Sequence, residues 1–166
     1  MLLWALAGCG PGQATIPSGA QVVQVVATAD LVRLDPSSIK AGDIYLQLDE
    51  PADGGSFMFV ERKAEATDTP GPLTDDDLVR LARGDTQGTS ISSMGPSCVG
   101  PQGAGRGHLV APGVCGNVWK LNLGPGNYAI LGPGWNEQQT EVSPAPTAGP
   151  AGPVIPPTMA VLEVLP

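Results

Sequence analysis

The stretch that decides the fold is residues 118–131, which read VWKLNLGPGNYAIL. Its first half alternates the apolar residues Trp119, Leu121 and Leu123 with polar ones, and this period of two is typical of a half-buried strand. Residues 124–127, GPGN, are turn-forming, and residues 128–131, YAIL, suit a second strand. The stretch therefore predicts two strands joined by a tight turn, which favours a β-hairpin.

Further strands are predicted on both sides of this stretch. Residues 21–27, QVVQVVA, are rich in β-branched side chains, and residues 31–34 continue the pattern after a bend. Apolar residues alternate again over residues 44–48. Residues 57–60, FMFV, are apolar on both faces and predict a central strand, and residues 159–165 predict a closing strand. Six or seven strands of this kind favour an antiparallel β-sandwich.

One helix is predicted over residues 74–84. Thr74 suits an N-cap, and the acidic residues 75–77 fill the first turn, where the helix dipole favours anions. Leu78, Leu81 and Ala82 form an apolar stripe, and Gly84 can end the helix. Capping explains the acidic triplet without a bound cation.

Composition predicts one all-β domain with long loops. The chain has 166 residues, with 23 glycines and 18 prolines, which favours many turns. Two Gly- and Pro-rich loops are expected, over residues 90–116 and 132–158. The net charge of −8 repels phosphate backbones, so nucleic acid is not an expected partner. The acidic composition also offers no polybasic patch for binding to anionic lipid. No nucleophile elbow, phosphate loop or zincin motif occurs, so no enzymatic activity is expected.

The first nine residues resemble a bacterial lipoprotein signal. Residues 6–9, LAGC, are similar to a lipobox, in which small residues precede a cysteine that is acylated and becomes the mature N-terminus. The resemblance implies that Cys9 is lipidated and that the protein lies at a cell membrane, facing the periplasm or the exterior. The domains expected are a signal peptide over residues 1–9, a flexible tether over 10–19 and a folded domain over 20–166. An ordinary apolar N-terminus with a free thiol is the alternative.

Once Cys9 is assigned, two cysteines remain. Sixteen residues separate Cys98 from Cys115, and a disulfide closing such a loop stabilises a fold by about 3 kcal/mol in the chain-entropy model. Disulfides persist outside the cytoplasm. The sequence therefore predicts a Cys98–Cys115 disulfide, with two free thiols as the alternative.

Residues 111–113, APG, and 117–131 together resemble bacterial cupredoxin-like proteins. Those proteins have a Pro-Gly turn, a strand and a Pro-Gly-x-Tyr hairpin into the strand that delivers the copper cysteine. Residues 36–49 resemble an earlier strand pair of the family, and the helix at Thr74 resembles one that some members insert. The resemblance covers roughly residues 21–165 and implies a Greek-key β-sandwich.

The copper ligands of that family are largely missing. A blue-copper centre takes two histidines, a cysteine thiolate and a weak axial methionine. The resemblance places the first histidine in residues 56–59, SFMF, the cysteine at Leu131 and the second histidine in residues 132–158, and none of these ligands is present. Only Met159 matches the axial ligand. We therefore expect no type 1 copper and no other cofactor.

Two functional hypotheses remain. The first is a non-catalytic binding or structural module with an unidentified protein or small-ligand partner, contacted through the long loops. Trp135 is then a candidate partner-contact residue. The second is a copper carrier with a soft site built from His108, Met58, Met94 and Met159. Methionines that only fill the core are the simpler interpretation.

Overall fold

The computed structural model describes residues 16–49, 56–63, 70–94, 97–98, 115–116, 118–135 and 155–166. Residues 97–98 and 115–116 are described at the level of the backbone. The elements in chain order are β1 (Gln21–Ala27), β2 (Val32–Asp35), β3 (Ser38–Lys40), β4 (Gly42–Leu48), β5 (Phe57–Arg62), α1 (Asp75–Leu81), β6 (Thr89–Met94), β7 (Ser97–Cys98), β8 (Cys115–Gly116), β9 (Val118–Leu123), β10 (Gly126–Leu131) and β11 (Met159–Leu165).

The first sheet has four strands in the order β2-β1-β4-β9. In β1, Val23 and Val25 are buried while Gln24 between them is exposed, which is the alternation expected of a strand with one face on a core. β1 runs parallel to β4, with Val23 opposite Leu46, and the other two pairings are antiparallel. This parallel pairing differs from the antiparallel sandwich that the sequence predicts.

The second sheet has five strands in the order β3-β11-β10-β5-β6. β10 pairs antiparallel with both β11 and β5, and the short β3 joins β11 in parallel. The prediction that residues 57–60 form a central strand is confirmed, because β5 has a neighbour on each side and Phe57, Phe59 and Val60 are buried.

The two sheets pack face to face around one large apolar cluster. The rings of Phe57 from the second sheet and Trp119 from the first meet edge to face, with centroids 5.2 Å apart. Phe59 stacks on Tyr128 at 5.7 Å. Aromatic pairs in these geometries add about 0.5–1.5 kcal/mol each beyond the area they bury. The protein is therefore an all-β sandwich with one helix.

Helix α1 covers the outer face of the second sheet. Leu78 and Leu81 pack there in a second buried cluster, which we call the helix-side cluster. Its buried members are Val60, Leu73, Leu78, Leu81, Ala129, Leu131, Trp135 and Met159, and Met58, Ala82, Ile155 and Val161 pack against them. The predicted N-cap is confirmed: the Thr74 hydroxyl accepts a hydrogen bond from the Asp77 backbone, and the Asp77 carboxylate accepts one from the Thr74 backbone. This reciprocal box satisfies two backbone donors that would otherwise lack partners.

The predicted hairpin over residues 118–131 is wrong, although both strands exist. β9 pairs with β4 in the first sheet, and β10 pairs with β11 and β5 in the second. The connection therefore crosses from one sheet to the other. The large apolar cluster between the sheets contains Trp119 and Leu123 from β9 and Tyr128 and Ile130 from β10. Two neighbouring strands of one sheet would direct the same residues to the core, so the apolar pattern does not distinguish the two arrangements. Gly126 permits the crossing, since its φ is 136° and a side chain there would collide with Pro72.

The stretch predicted to be irregular, residues 90–116, contains strand structure. β6 pairs with β5 over six residues, and β7 and β8 form a separate two-stranded ladder. The sequence of β6, TSISSM, has little apolar alternation, because most of this edge strand faces solvent. Among the residues that the structure describes, no helix has the length and apolar character needed to span a membrane.

Candidate functional site at the loop end of the sandwich

The strand ends that flank the long loops lie together at one end of the sandwich. β4 ends where β9 begins, with Gln47 opposite Val118. In the other sheet β5 and β11 begin where β10 ends, and β6 ends opposite Phe57. The Phe57–Trp119 ring contact joins the two sheets at this level. We call this the loop end; it comprises the strand ends at Leu48, Phe57, Met94, Val118, Leu131 and Met159.

Leu131 occupies the position at which the family resemblance implies a copper thiolate. It is fully buried, and the register places it directly opposite Met58 on β5 and Met159 on β11. Opposite residues on neighbouring strands share a face of the sheet, so the three side chains form a row beneath helix α1. An aliphatic side chain has no lone pair to donate to a metal. The residues present at this position do not fit a type 1 copper ion.

The methionines of the carrier hypothesis are divided between two faces of the sheet. Met58 and Met159 lie in the helix-side cluster with Leu131. Met94 lies opposite Phe57 and belongs to the inter-sheet cluster. His108 lies outside the described residues. The structure thus brings together two of the three methionines. Within the described residues, no group of three or more His, Cys, Asp or Glu side chains is able to hold a metal.

Trp135, the candidate partner-contact residue, is buried. Its exposed fraction is 2%, and it packs in the helix-side cluster. A tight turn precedes Trp135, in which the Trp135 backbone N–H donates to the Gly132 carbonyl at 3.1 Å. The Gly132 backbone N–H donates to the Thr158 carbonyl at 2.8 Å and so fixes the start of this turn. Gly134 is required here, because a Cβ would collide with the carbonyl of Ala29. The sequence pattern GPGW signals the turn but not the direction in which the ring points.

The indole N–H of Trp135 has no hydrogen-bond partner among the described residues. Burying a donor without a partner costs about 1–3 kcal/mol. The ring itself belongs to the same apolar cluster as Leu131 and Met159. This unpaired donor is a feature of the site that sequence reasoning missed, since no local pattern predicts an unsatisfied indole.

The two remaining cysteines face each other through their backbones. Cys98 in β7 lies directly opposite Cys115 in β8, and Ser97 lies opposite Gly116. Opposite residues of an antiparallel pair have Cα atoms about 4.5–5.5 Å apart, which is within the range that a disulfide spans. The backbone register is compatible with the predicted disulfide, which stays a prediction because the two side chains lie outside the description, as does Cys9.

An ion pair on the first sheet, between Asp43 and Lys120, has a structural role. Asp43 pairs with Lys120 and accepts a hydrogen bond from Asn122 at 2.9 Å. The Lys120 hydrogen bond, helped by that of Asn122, holds the pKa of Asp43 below its ordinary value. Both partners of the ion pair are exposed, so solvent and salt screen it. We assign this cluster to sheet pairing.

Comparisons with known proteins identify no family for this chain. No protein-family model matches it, and no curated protein matches it. Among solved structures it is similar to auracyanin B, with 14% sequence identity over 95% of this chain and 97% of that chain and a TM-score of 0.37. This score is too low to support an argument about either fold or site.

Proposed function

We propose that the chain is a lipid-anchored, extracytoplasmic module that binds a partner or has a structural role, on a cupredoxin-like scaffold without type 1 copper. The observation that carries the proposal is the burial of Leu131 between Met58 and Met159. Burying a leucine contributes about 1.5–3 kcal/mol, so this position stabilises the apo fold. The two-sheet architecture and the sequence resemblance support the cupredoxin-like scaffold.

The direction of the tether supports the loop end as the contact surface. β1 begins at Gln21, opposite Ile44 near the start of β4, which is the end of the sandwich away from the loops. A seven-residue strand spans about 23 Å. In this proposal the lipid on Cys9 is joined to the end of the domain opposite the loop end, which favours an orientation in which the flanks of residues 95–117 and 132–158 face away from the membrane.

The contact surface is assigned to the loops rather than to Trp135. The indole is buried, so its role is to fix the base of the loop that follows it. Function on a β-sandwich commonly lies in end loops that a rigid scaffold positions. No catalytic step is proposed for this module.

Elemental analysis of the full chain purified from its native membrane tests the proposal. We expect the protein in the membrane fraction, released by a Cys9→Ala substitution, with copper far below one equivalent per chain. One equivalent of copper in the wild-type protein, lost in a Met58→Leu/Met159→Leu variant, would favour the copper carrier instead. The single observation that favours the carrier is the shared face of these two methionines.

A further inference from the structure

The three methionines among the described residues differ in their access to solvent. Met94 and Met159 are 4% and 3% exposed, whereas Met58 is half-buried. The residue opposite Met58 on β6 is Ser93, which is itself exposed. Opposite residues share a face of the sheet, and the short serine covers little of the Met58 side chain. Within the part of the chain that the structure describes, Met58 is therefore the thioether most open to solvent.

Met58 also contacts the interior of the protein. On the side away from β6 it lies opposite Leu131, which is fully buried, and its side chain packs against the helix-side cluster. The same cluster contains Leu78 and Leu81 of α1 and the ring of Trp135. A change in the polarity of the Met58 side chain would therefore alter the packing of the helix and of this ring on the outer face of the second sheet.

A thioether that is open to solvent and also packs against an apolar cluster is suited to oxidation by a hydroperoxide. The methionine sulfur attacks one peroxide oxygen, the S–O bond forms as the O–O bond breaks, and water or an alcohol leaves. The sulfur loses two electrons and the peroxide gains them. The product, methionine sulfoxide, is polar and disrupts apolar packing.

We propose that Met58 is an oxidation site through which a hydroperoxide loosens the packing of α1 and Trp135 on the second sheet. The sulfoxide oxygen turns toward water, because an unpaired polar group is unfavourable in apolar surroundings, and the side chain withdraws from the helix-side cluster. Trp135 closes the turn that begins at Gly132, so the loosening reaches the loop end. The step does not depend on the lipid anchor, because the exposure of the thioether determines it.

Treatment of the full chain with hydrogen peroxide, followed by peptide mass mapping, tests the site. We expect one added oxygen at Met58, at several times the rate found for Met94 and Met159, because those two side chains are buried. The melting temperature should fall by several degrees in step with the oxidised fraction of Met58. Equal rates at the three methionines, or an unchanged melting temperature once Met58 is oxidised, would overturn the proposal.

Two variants separate the proposed coupling from exposure alone. Met58→Leu keeps an apolar side chain of similar volume and lacks the thioether, so the same dose of peroxide should leave its melting temperature unchanged. Adding Ile91→Met places a thioether on β6 at a position that is 41% exposed, rather than in the helix-side cluster.

This second variant should be oxidised at position 91 at least as fast as the wild-type chain is at Met58, without a loss of melting temperature. The native cysteines are the same in every chain, so their reaction with peroxide does not distinguish the variants. A fall as large as that of the wild-type chain in Met58→Leu would show that Met58 is not responsible. The same fall only after Ile91→Met is added would show that any exposed thioether suffices, and either result would contradict the proposal.

Discussion

Cys98 lies directly opposite Cys115 in the short ladder of β7 and β8. This ladder stands between the end of β6, at an edge of the five-stranded sheet, and the start of β9, at an edge of the four-stranded sheet. A covalent bond at this place would join the two sheets at the loop end.

We predict that the two cysteines form a disulfide in the native protein. Thiol labelling under denaturing, non-reducing conditions should find neither residue free. Replacing both with serine should lower the free energy of unfolding by about 3 kcal/mol, because the denatured chain regains the freedom of a loop of this size. Two labelled thiols in the native protein would contradict the prediction.

The proposed lipid anchor on Cys9 can be tested with a substitution that replaces only its sulfur atom. We predict that Cys9→Ser moves the protein from the membrane fraction to the aqueous fraction, since acyl chains on Cys9 are the proposed attachment. Mass spectrometry of the wild-type chain should find a lipid mass on Cys9 at its N-terminus. A Cys9→Ser protein that stays with the membrane would refute the lipid anchor.

The capping box of α1 predicts a pH-dependent contribution to stability. Burial raises the pKa of the Asp77 carboxyl, but the hydrogen bonds from Thr74 and the ion pair with Arg80 outweigh this effect and hold the pKa below the ordinary value of 3.8. A carboxyl with a lower pKa in the folded state contributes stability above its unfolded pKa and loses it as the pH falls through the folded pKa.

We therefore expect Asp77→Asn to unfold more easily than wild type at neutral pH, by about 1 kcal/mol, as for the loss of a cap. The difference should narrow as the pH falls below about 3.8, in denaturant unfolding followed at several pH values. Asp76→Asn is the matched control, because Asp76 is exposed on the same turn. An equal effect of both substitutions would show that general charge, not the cap, is responsible.

The turn before Trp135 can be tested with a pair of glycines. Gly134→Ala should lower the melting temperature, because a Cβ there collides with the Ala29 carbonyl, whereas Gly124→Ala meets open space and should have little effect. An overpacked position of this kind costs about 1–3 kcal/mol. Thermal unfolding of the two variants compares them directly, and a Gly134→Ala variant as stable as Gly124→Ala would contradict the described packing.

The parts of the fold that the sequence predicts are those with a local signal. β1, β4 and β11 carry β-branched or alternating apolar residues, and Thr74 with its acidic turn marks the start of α1. The partners of β9 and β10 are set by non-local contacts. Both strands direct one apolar face to the core, and this pattern is the same whether the two strands share a sheet or lie in opposite sheets.

The contrast between local and non-local signals also explains which features of the candidate site the sequence does not indicate. Leu131 and Met159 could each be assigned to a strand, because each lies in a clear apolar run, but the pairing of those strands came only from the structure. The burial of Trp135 depends on the approach of Ala29 and Thr158, which are distant in sequence. The sequence of β6 lacks apolar alternation because this edge strand buries few of its side chains. Its strand structure is therefore evident only from its pairing with β5.

We propose that Leu131 fills the position of a metal ligand and that the domain folds without copper. Leu131→Ala should lower the free energy of unfolding by about 2–5 kcal/mol, through lost burial and the cavity left behind. The half-buried Met58 on the neighbouring strand is the control, and Met58→Ala should cost less. Equal costs would contradict the central position of Leu131 in the helix-side cluster.

The most direct test is a copper titration of the metal-free full chain, with thermal unfolding measured before and after each addition. We predict that the metal-free protein unfolds cooperatively and that stoichiometric copper leaves its melting temperature unchanged. We also predict no intense thiolate-to-copper absorption, because Leu131 supplies no thiolate. Tight binding of one equivalent that raises the melting temperature by several degrees, as mass action requires of a ligand specific to the folded state, would contradict these predictions.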